Sequence, residues 1–93
     1  MHDEYIAGVL DGCGRIYPHA LAVASQNGKL LERLHRRNGG HIEGNRWIIR
    51  RADRRTQILL AWFAGSLTRQ PEIAAELRRI GAGELLDKLI LSD

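Results

Sequence analysis

Apolar positions along the chain recur with two different periods, and each change of period marks an element. Residues 3–12 carry Ile6, Val9 and Leu10 at helical spacing, and Gly12 and Gly14 stop the run. Arg15-Ile16-Tyr17 then reads as a short strand ended by Pro18. Leu21 and Val23 alternate with Ala20, Ala22 and Ala24, which predicts a second strand running to Ser25, followed by a turn signal at Asn27-Gly28. A second helix over residues 29–37 places Leu30, Leu31 and Leu34 inward and Lys29, Arg33, Arg36 and Arg37 outward, and Asn38-Gly39-Gly40 closes it. Residues 41–43 and 46–51 form the arms of a hairpin turning at Gly44-Asn45. Asp53 is the expected N-cap of a third helix carrying Ile58, Leu59, Trp62, Phe63 and Leu67. Pro71 and Glu72 suit the first turn of a fourth helix, which breaks at Gly81-Ala82-Gly83 and resumes through Leu85, Leu86, Leu89 and Ile90.

The resulting order, α-β-β-α-β-β-α-α, predicts an α+β domain spanning residues 1–93. Its four-stranded antiparallel sheet has helices on one face and leaves the other open. Strand alternation sorts the side chains between those faces. If Trp47 and Ile49 face the helices, Arg46, Ile48 and Arg50 face outward; likewise Arg15 and Tyr17 face outward and Ile16 inward. Trp47, Trp62 and Phe63 read as core residues rather than stacking platforms. There is no internal repeat and no low-complexity linker.

Composition narrows the class. A chain of 93 residues allows one domain, and one this small buries a modest fraction of its surface, so self-association would help it. Hydrophobic residues at 44% and charged ones at 27% are ordinary for a globular protein and argue against disorder. The start, MHDEYIAGVLDG, has neither a basic leader nor a long apolar run, so it reads as neither a signal peptide nor a membrane span. The single cysteine, Cys13, cannot form an internal disulfide and fits a reducing compartment; the expected location is cytoplasmic.

Charge is distributed unevenly. Residues 29–55 hold nine basic side chains against three acids, a net of +6 in a chain whose total is +3. A middle third this positive, inside a chain otherwise acidic, points to a basic face suited to nucleic acid. A merely solvated arginine-rich surface is the alternative. Arginine outnumbers lysine twelve to two, a bias that genomic GC content can also produce.

The stretch Tyr5-Ile6-Ala7-Gly8-Val9-Leu10-Asp11-Gly12-Cys13-Gly14-Arg15-Ile16 resembles the signature of the LAGLIDADG homing endonuclease family, in its single-motif form. Ile6 to Gly14 aligns with the nine motif letters, with Ala7, Gly8, Asp11 and Gly14 identical and Val9 and Leu10 conservative. Gly39-Gly40-His41-Ile42 followed by Trp47-Ile48-Ile49 is similar to the family's second hairpin, and the element order agrees from Tyr5 to about Leu67. The resemblance implies a homodimer, two sheets forming a saddle over double-stranded DNA, and an interface helix presenting Ala7, Gly8, Asp11 and Gly12 at the two-fold axis. Small residues there let two helix backbones approach; otherwise they pack against the chain's own sheet. The family's catalytic acid stands just before the final glycine, where two such carboxylates bind divalent metal at the scissile phosphates. Here that position is Cys13, a poor ligand for Mg²⁺, and Asp11, two residues earlier on the helix, points elsewhere.

The expected DNA-contacting residues are Arg15, Tyr17, Arg46, Arg50 and Arg51. No catalytic residue and no metal ligand is assigned, and no cofactor is expected unless the protein is an active endonuclease, which would need Mg²⁺. The expected function is a DNA-binding homodimer that does not cleave. The alternatives are that active metal-dependent endonuclease and a small interaction protein binding acidic partners. Cys13 with His19, His35 and His41 matches no zinc-ligand spacing, and a Cys13 nucleophile with a histidine base lacks an evident third group.

Overall fold

The computed structural model describes residues 4–91; the helix start expected at residue 3 lies outside them. The elements are α1 (Glu4–Cys13), β1 (Gly14–Tyr17), β2 (Ala20–Ala24), α2 (Gly28–Asn38), β3 (His41–Glu43), β4 (Arg46–Ile49), α3 (Ala52–Gly65), α4 (Gln70–Arg79) and α5 (Gly83–Leu91). The class is α+β, and the four strands form one antiparallel sheet in the order β1-β2-β4-β3.

Several boundaries differ from the sequence expectation, each for a local reason. Gly28 begins α2 instead of sitting in a turn, because Asn27 is the N-cap and its side-chain oxygen accepts from the Leu30 amide. Asp53 is not the cap of α3. Arg51 holds that position, with no side-chain cap, and Asp53 sits in the first turn holding the Arg51 guanidinium. Strand β4 stops at Ile49, two residues early, and Leu67 lies beyond α3, almost fully exposed. The fourth helix is two helices, so the order ends α-α-α. Gly81, at φ +87°, turns the chain while the Ala82 amide donates to the Leu77 carbonyl and the Gly81 amide to the Arg78 carbonyl, the two bonds of a Schellman stop.

The hairpins have short turns. β3 and β4 are joined by Gly44-Asn45, with Gly44 at φ +62°, the backbone a type II′ turn requires at its first central position. Between α2 and β3 the chain reverses through Gly39 and Gly40, both at positive φ. A Cβ on Gly40 would stand 2.6 Å from the Ile48 carbonyl oxygen, so only glycine fits there.

One face of the sheet supplies Leu21, Val23, Trp47 and Ile49 to the core, where they meet Ile6 and Leu10 of α1, Leu31 and Leu34 of α2, and Ile58, Leu59 and Trp62 of α3. Helices α4 and α5 extend this core away from the sheet through Ile73, Leu77 and Leu86. Both tryptophans are fully buried, as expected, and the Trp47 indole satisfies its N–H on the Gly39 carbonyl at 2.8 Å. Arg55, counted in the basic stretch, is turned inward and donates to the Arg50 carbonyl. No helix among the described residues is long and apolar enough to cross a membrane.

Candidate nucleic-acid interface

Residues paired across an antiparallel sheet share a face, so the register defines what the helix-free side displays. One row runs Arg15, Ala22, Ile48, His41; the next pairs Ala24, Arg46 and Glu43; a third pairs Tyr17 with Ala20. Around a hollow of about 180 Å³ stand Tyr17, Arg46 and Arg50, over a floor of Ala20, Ala22 and Ile48. Ala22 and Ile48 are only 3% exposed although no helix covers them. Long flanking side chains lie along such a floor while their charged heads stay in water. The face is therefore smooth at its centre and cationic at its rim.

The arginines on it differ in availability. Arg15 and Arg46 are exposed and have no carboxylate within ion-pair distance among the described residues. Arg50 is engaged by Glu43 at 2.9 Å, and the hydrogen bond and charge of Arg50 hold the Glu43 carboxyl below its ordinary range. Arg51 lies off the sheet face at the start of α3, paired with Asp53. Of the five residues expected to contact DNA, four thus share or border one surface, and Arg51 sits round its edge.

Helix α1 divides the four residues expected at a dimer axis. Gly8 and Gly12 are exposed, four residues apart on one side of the helix, and a Cβ built on either would meet nothing within 4 Å. Ala7 and Asp11, also four residues apart, lie about a quarter-turn round the helix from them, on the side that meets α3. Ala7 is 1% exposed and packs on α3, so closely that a Cβ on Gly65 would stand 2.6 Å from its own. The Asp11 carboxylate accepts from the Trp62 indole at 2.7 Å, the Ser66 hydroxyl at 2.7 Å and the Leu67 amide at 2.8 Å. Burial alone would push its pKa up. Hydrogen bonds from Ser66, the Leu67 backbone, Trp62 and the Thr68 backbone outweigh that, and hold it below the ordinary value.

At the C-terminal end of α1 a second hollow, of about 330 Å³, is lined by Gly12, Cys13, Gly14, Arg15, Ala24 and Arg69. Gly14 must be glycine, since a Cβ would lie 2.7 Å from the Leu10 carbonyl oxygen. Arg69 fixes the backbone here, donating to the Leu10 carbonyl at 3.0 Å and the Gly14 carbonyl at 2.6 Å. Glu72 grips its guanidinium in a bidentate pair and Trp62 lies beneath it. Comparison with protein-family models, curated proteins and solved structures yields no match. The chemistry of this hollow is therefore read from its side chains alone.

Those side chains are an exposed thiol and two guanidinium groups. The nearby carboxylate, Asp11, has its oxygens committed to internal donors. This donor set does not fit Mg²⁺, which takes hard oxygen ligands. Among the described residues no three of His, Cys, Asp and Glu gather in a metal-binding group, so Cys13, His19, His35 and His41 do not form one. Sequence reasoning missed Arg69, Trp62 and Ser66 as the groups that position the end of α1.

Proposed function

We propose that the protein is a double-stranded DNA-binding homodimer of the LAGLIDADG homing endonuclease type that does not cleave DNA. The observation that carries the binding is the helix-free sheet face. It places the exposed Arg15 and Arg46, neither in a direct ion pair among the described residues although Arg46 lies across the strands from Glu43, beside a smooth alanine-isoleucine floor, with Tyr17 next to them. Guanidinium groups on such a face meet phosphates, and the small floor lets a duplex approach the sheet. The element order from α1 to α3 is the one that the motif resemblance implies, which supports the family reading. The exposed Gly8 and Gly12 supply a ridge on which a second α1 can lie closely. The thiol at Cys13 supports the loss of cleavage.

Titration of a labelled random-sequence duplex, followed by fluorescence anisotropy, tests the binding. Saturable binding that weakens steeply with salt is expected, and no binding at low salt would overturn the reading. Addition of Mg²⁺ or Mn²⁺ to bound plasmid should leave it intact; nicking would make the protein an endonuclease.

A further inference from the structure

The corner where β4 leads into α3, at the edge of the sheet face and sharing Arg50 with it, holds a separate hollow of about 290 Å³. On one side are Gly39, Gly40 and His41, on the other Arg50, Arg51 and Arg54. Its volume is at the lower end of small-molecule sites, roughly 300 Å³ and upward. The tandem positive-φ glycines keep one wall free of side chains: Gly39 has nothing within 4 Å of where a Cβ would stand.

The donors at this corner exceed the acceptors that use them. A guanidinium carries five N–H groups. Arg51 spends Nε and Nη2 on Asp53, Arg50 spends Nη1 on Glu43, and Arg54 makes no side-chain hydrogen bond or ion pair among the described residues. Beneath them Arg55, nine-tenths buried, donates Nη1 to the Arg50 carbonyl, while its Nε has no partner among the described residues. Four guanidinium groups within residues 50–55 therefore face two carboxylates, Glu43 and Asp53. An anion entering the hollow would meet the positive charge of Arg50, Arg51 and Arg54 together.

We propose that this corner is a binding site for a phosphate-class oxyanion, held by Arg54 with the free donors of Arg50 and Arg51 and bounded by the Gly39-Gly40 backbone. A planar guanidinium matches two phosphate oxygens at once, and three of them round a small open hollow suit a phosphate monoester or diester. The phosphate can come from a nucleic-acid backbone passing the sheet edge or from a free or terminal phosphate group. The site does not depend on the sheet face binding duplex.

Titration of the full chain with inorganic phosphate, read by amide chemical shifts, tests it. The Gly39, Gly40 and Arg54 amides should move saturably, and chloride at matched ionic strength should not move them. Arg54→Gln should weaken phosphate binding about tenfold, the loss of one charge-assisted contact. Arg54→Lys should recover part of it, and Lys88→Gln, which removes a cation from α5, should leave it unchanged. Shifts absent in the wild type, equal with chloride, or unaltered in Arg54→Gln would overturn the proposal. A duplex with a 5′-phosphate binding more tightly than its 5′-hydroxyl counterpart would identify a terminal phosphate as the source, and equal Arg54-dependent binding of both a backbone phosphate. Phosphate binding without any duplex binding would leave this site standing while the DNA-binding reading falls. Duplex binding with no phosphate response would do the reverse.

Discussion

The indole of Trp62 donates a 2.7 Å hydrogen bond to the Asp11 carboxylate, joining α1 to α3 at the point where α1 hands the chain to the sheet. The Ser66 hydroxyl shares the same oxygen and the Leu67 amide takes the other. The Asp of the motif thus locks the domain's own helices together. Asp11→Asn should cost roughly 2–3 kcal/mol, since bonds to a charged group are worth about 1.5–3 kcal/mol and an amide nitrogen would face a donor. The folded-state pKa of Asp11 is lowered, so its contribution is fully present above the unfolded carboxylate value of about 3.9 and is lost as pH falls through the folded one. The destabilisation in Asp11→Asn should therefore be largest at neutral pH and shrink in acid. Urea unfolding at pH 7 that matches the wild type would refute this role.

Which of these relationships the sequence displays depends on their range. The alternation that sets Trp47 and Ile49 inward and Arg46 and Ile48 outward is a property of four adjacent residues, so it is legible directly. The partners of Asp11 lie more than fifty positions away, and no periodicity encodes a hydrogen bond. Ala7 and Gly8 look alike in the motif, yet one packs on Gly65 and the other faces solvent. Only the rotation of α1 on α3 decides between them. Arg54 and Arg55 differ for the same reason: the inward stripe of α3 runs through Arg55, Ile58, Leu59 and Trp62. Arg69 is invisible in sequence because it donates to two backbone carbonyls more than fifty positions away, Leu10 in α1 and Gly14 at the start of β1.

The sheet face predicts a particular pattern of salt dependence. Arg46→Ala with Arg50→Ala should weaken duplex binding for all sequences, and each lost phosphate contact should flatten the log–log salt slope by roughly 0.9. Arg50 starts with Glu43 on its guanidinium, so freeing it should help. Glu43→Gln is expected to tighten binding several-fold at low salt, with the gain fading as salt rises. Anisotropy titrations from 50 to 200 mM salt distinguish the cases. Unchanged affinity in the double mutant would remove this face from consideration.

Gly8 and Gly65 make opposite predictions although both are helical glycines. A side chain at Gly8 has open space within its own chain, so Gly8→Leu should fold at least as well as the wild type yet sediment as a monomer and bind DNA much more weakly. A Cβ at Gly65 would stand 2.6 Å from that of Ala7, so Gly65→Ala must push α1 off α3 and should cost about 1–3 kcal/mol. Sedimentation and thermal melts of the two variants separate assembly from folding. A wild type that is monomeric at micromolar concentration would refute the dimer.

Cys13→Asp tests the family reading at its most specific residue. The thiol is exposed beside a hollow of about 330 Å³, so a carboxylate of similar size fits without repacking. If two α1 helices pair, the variant sets two carboxylates near one axis, flanked by Arg15 and Arg69. Like charges that close raise each other's proton affinity, and the variant should melt below the wild type in chelator. Mg²⁺ or Mn²⁺ should reverse the loss, because a ligand that binds only the folded state stabilises it, by about 2.7 kcal/mol at a hundred times its dissociation constant. Cys13→Asn, of the same shape without the charge, should show no metal response, and neither should the wild type. Arg69 is already spent on backbone carbonyls and Glu72, so it supports the position of the new carboxylate without neutralising it. A Cys13→Asp melting temperature indifferent to divalent metal would mean that this end of α1 is not a paired, metal-competent position, and the homing-endonuclease reading would lose its most specific support.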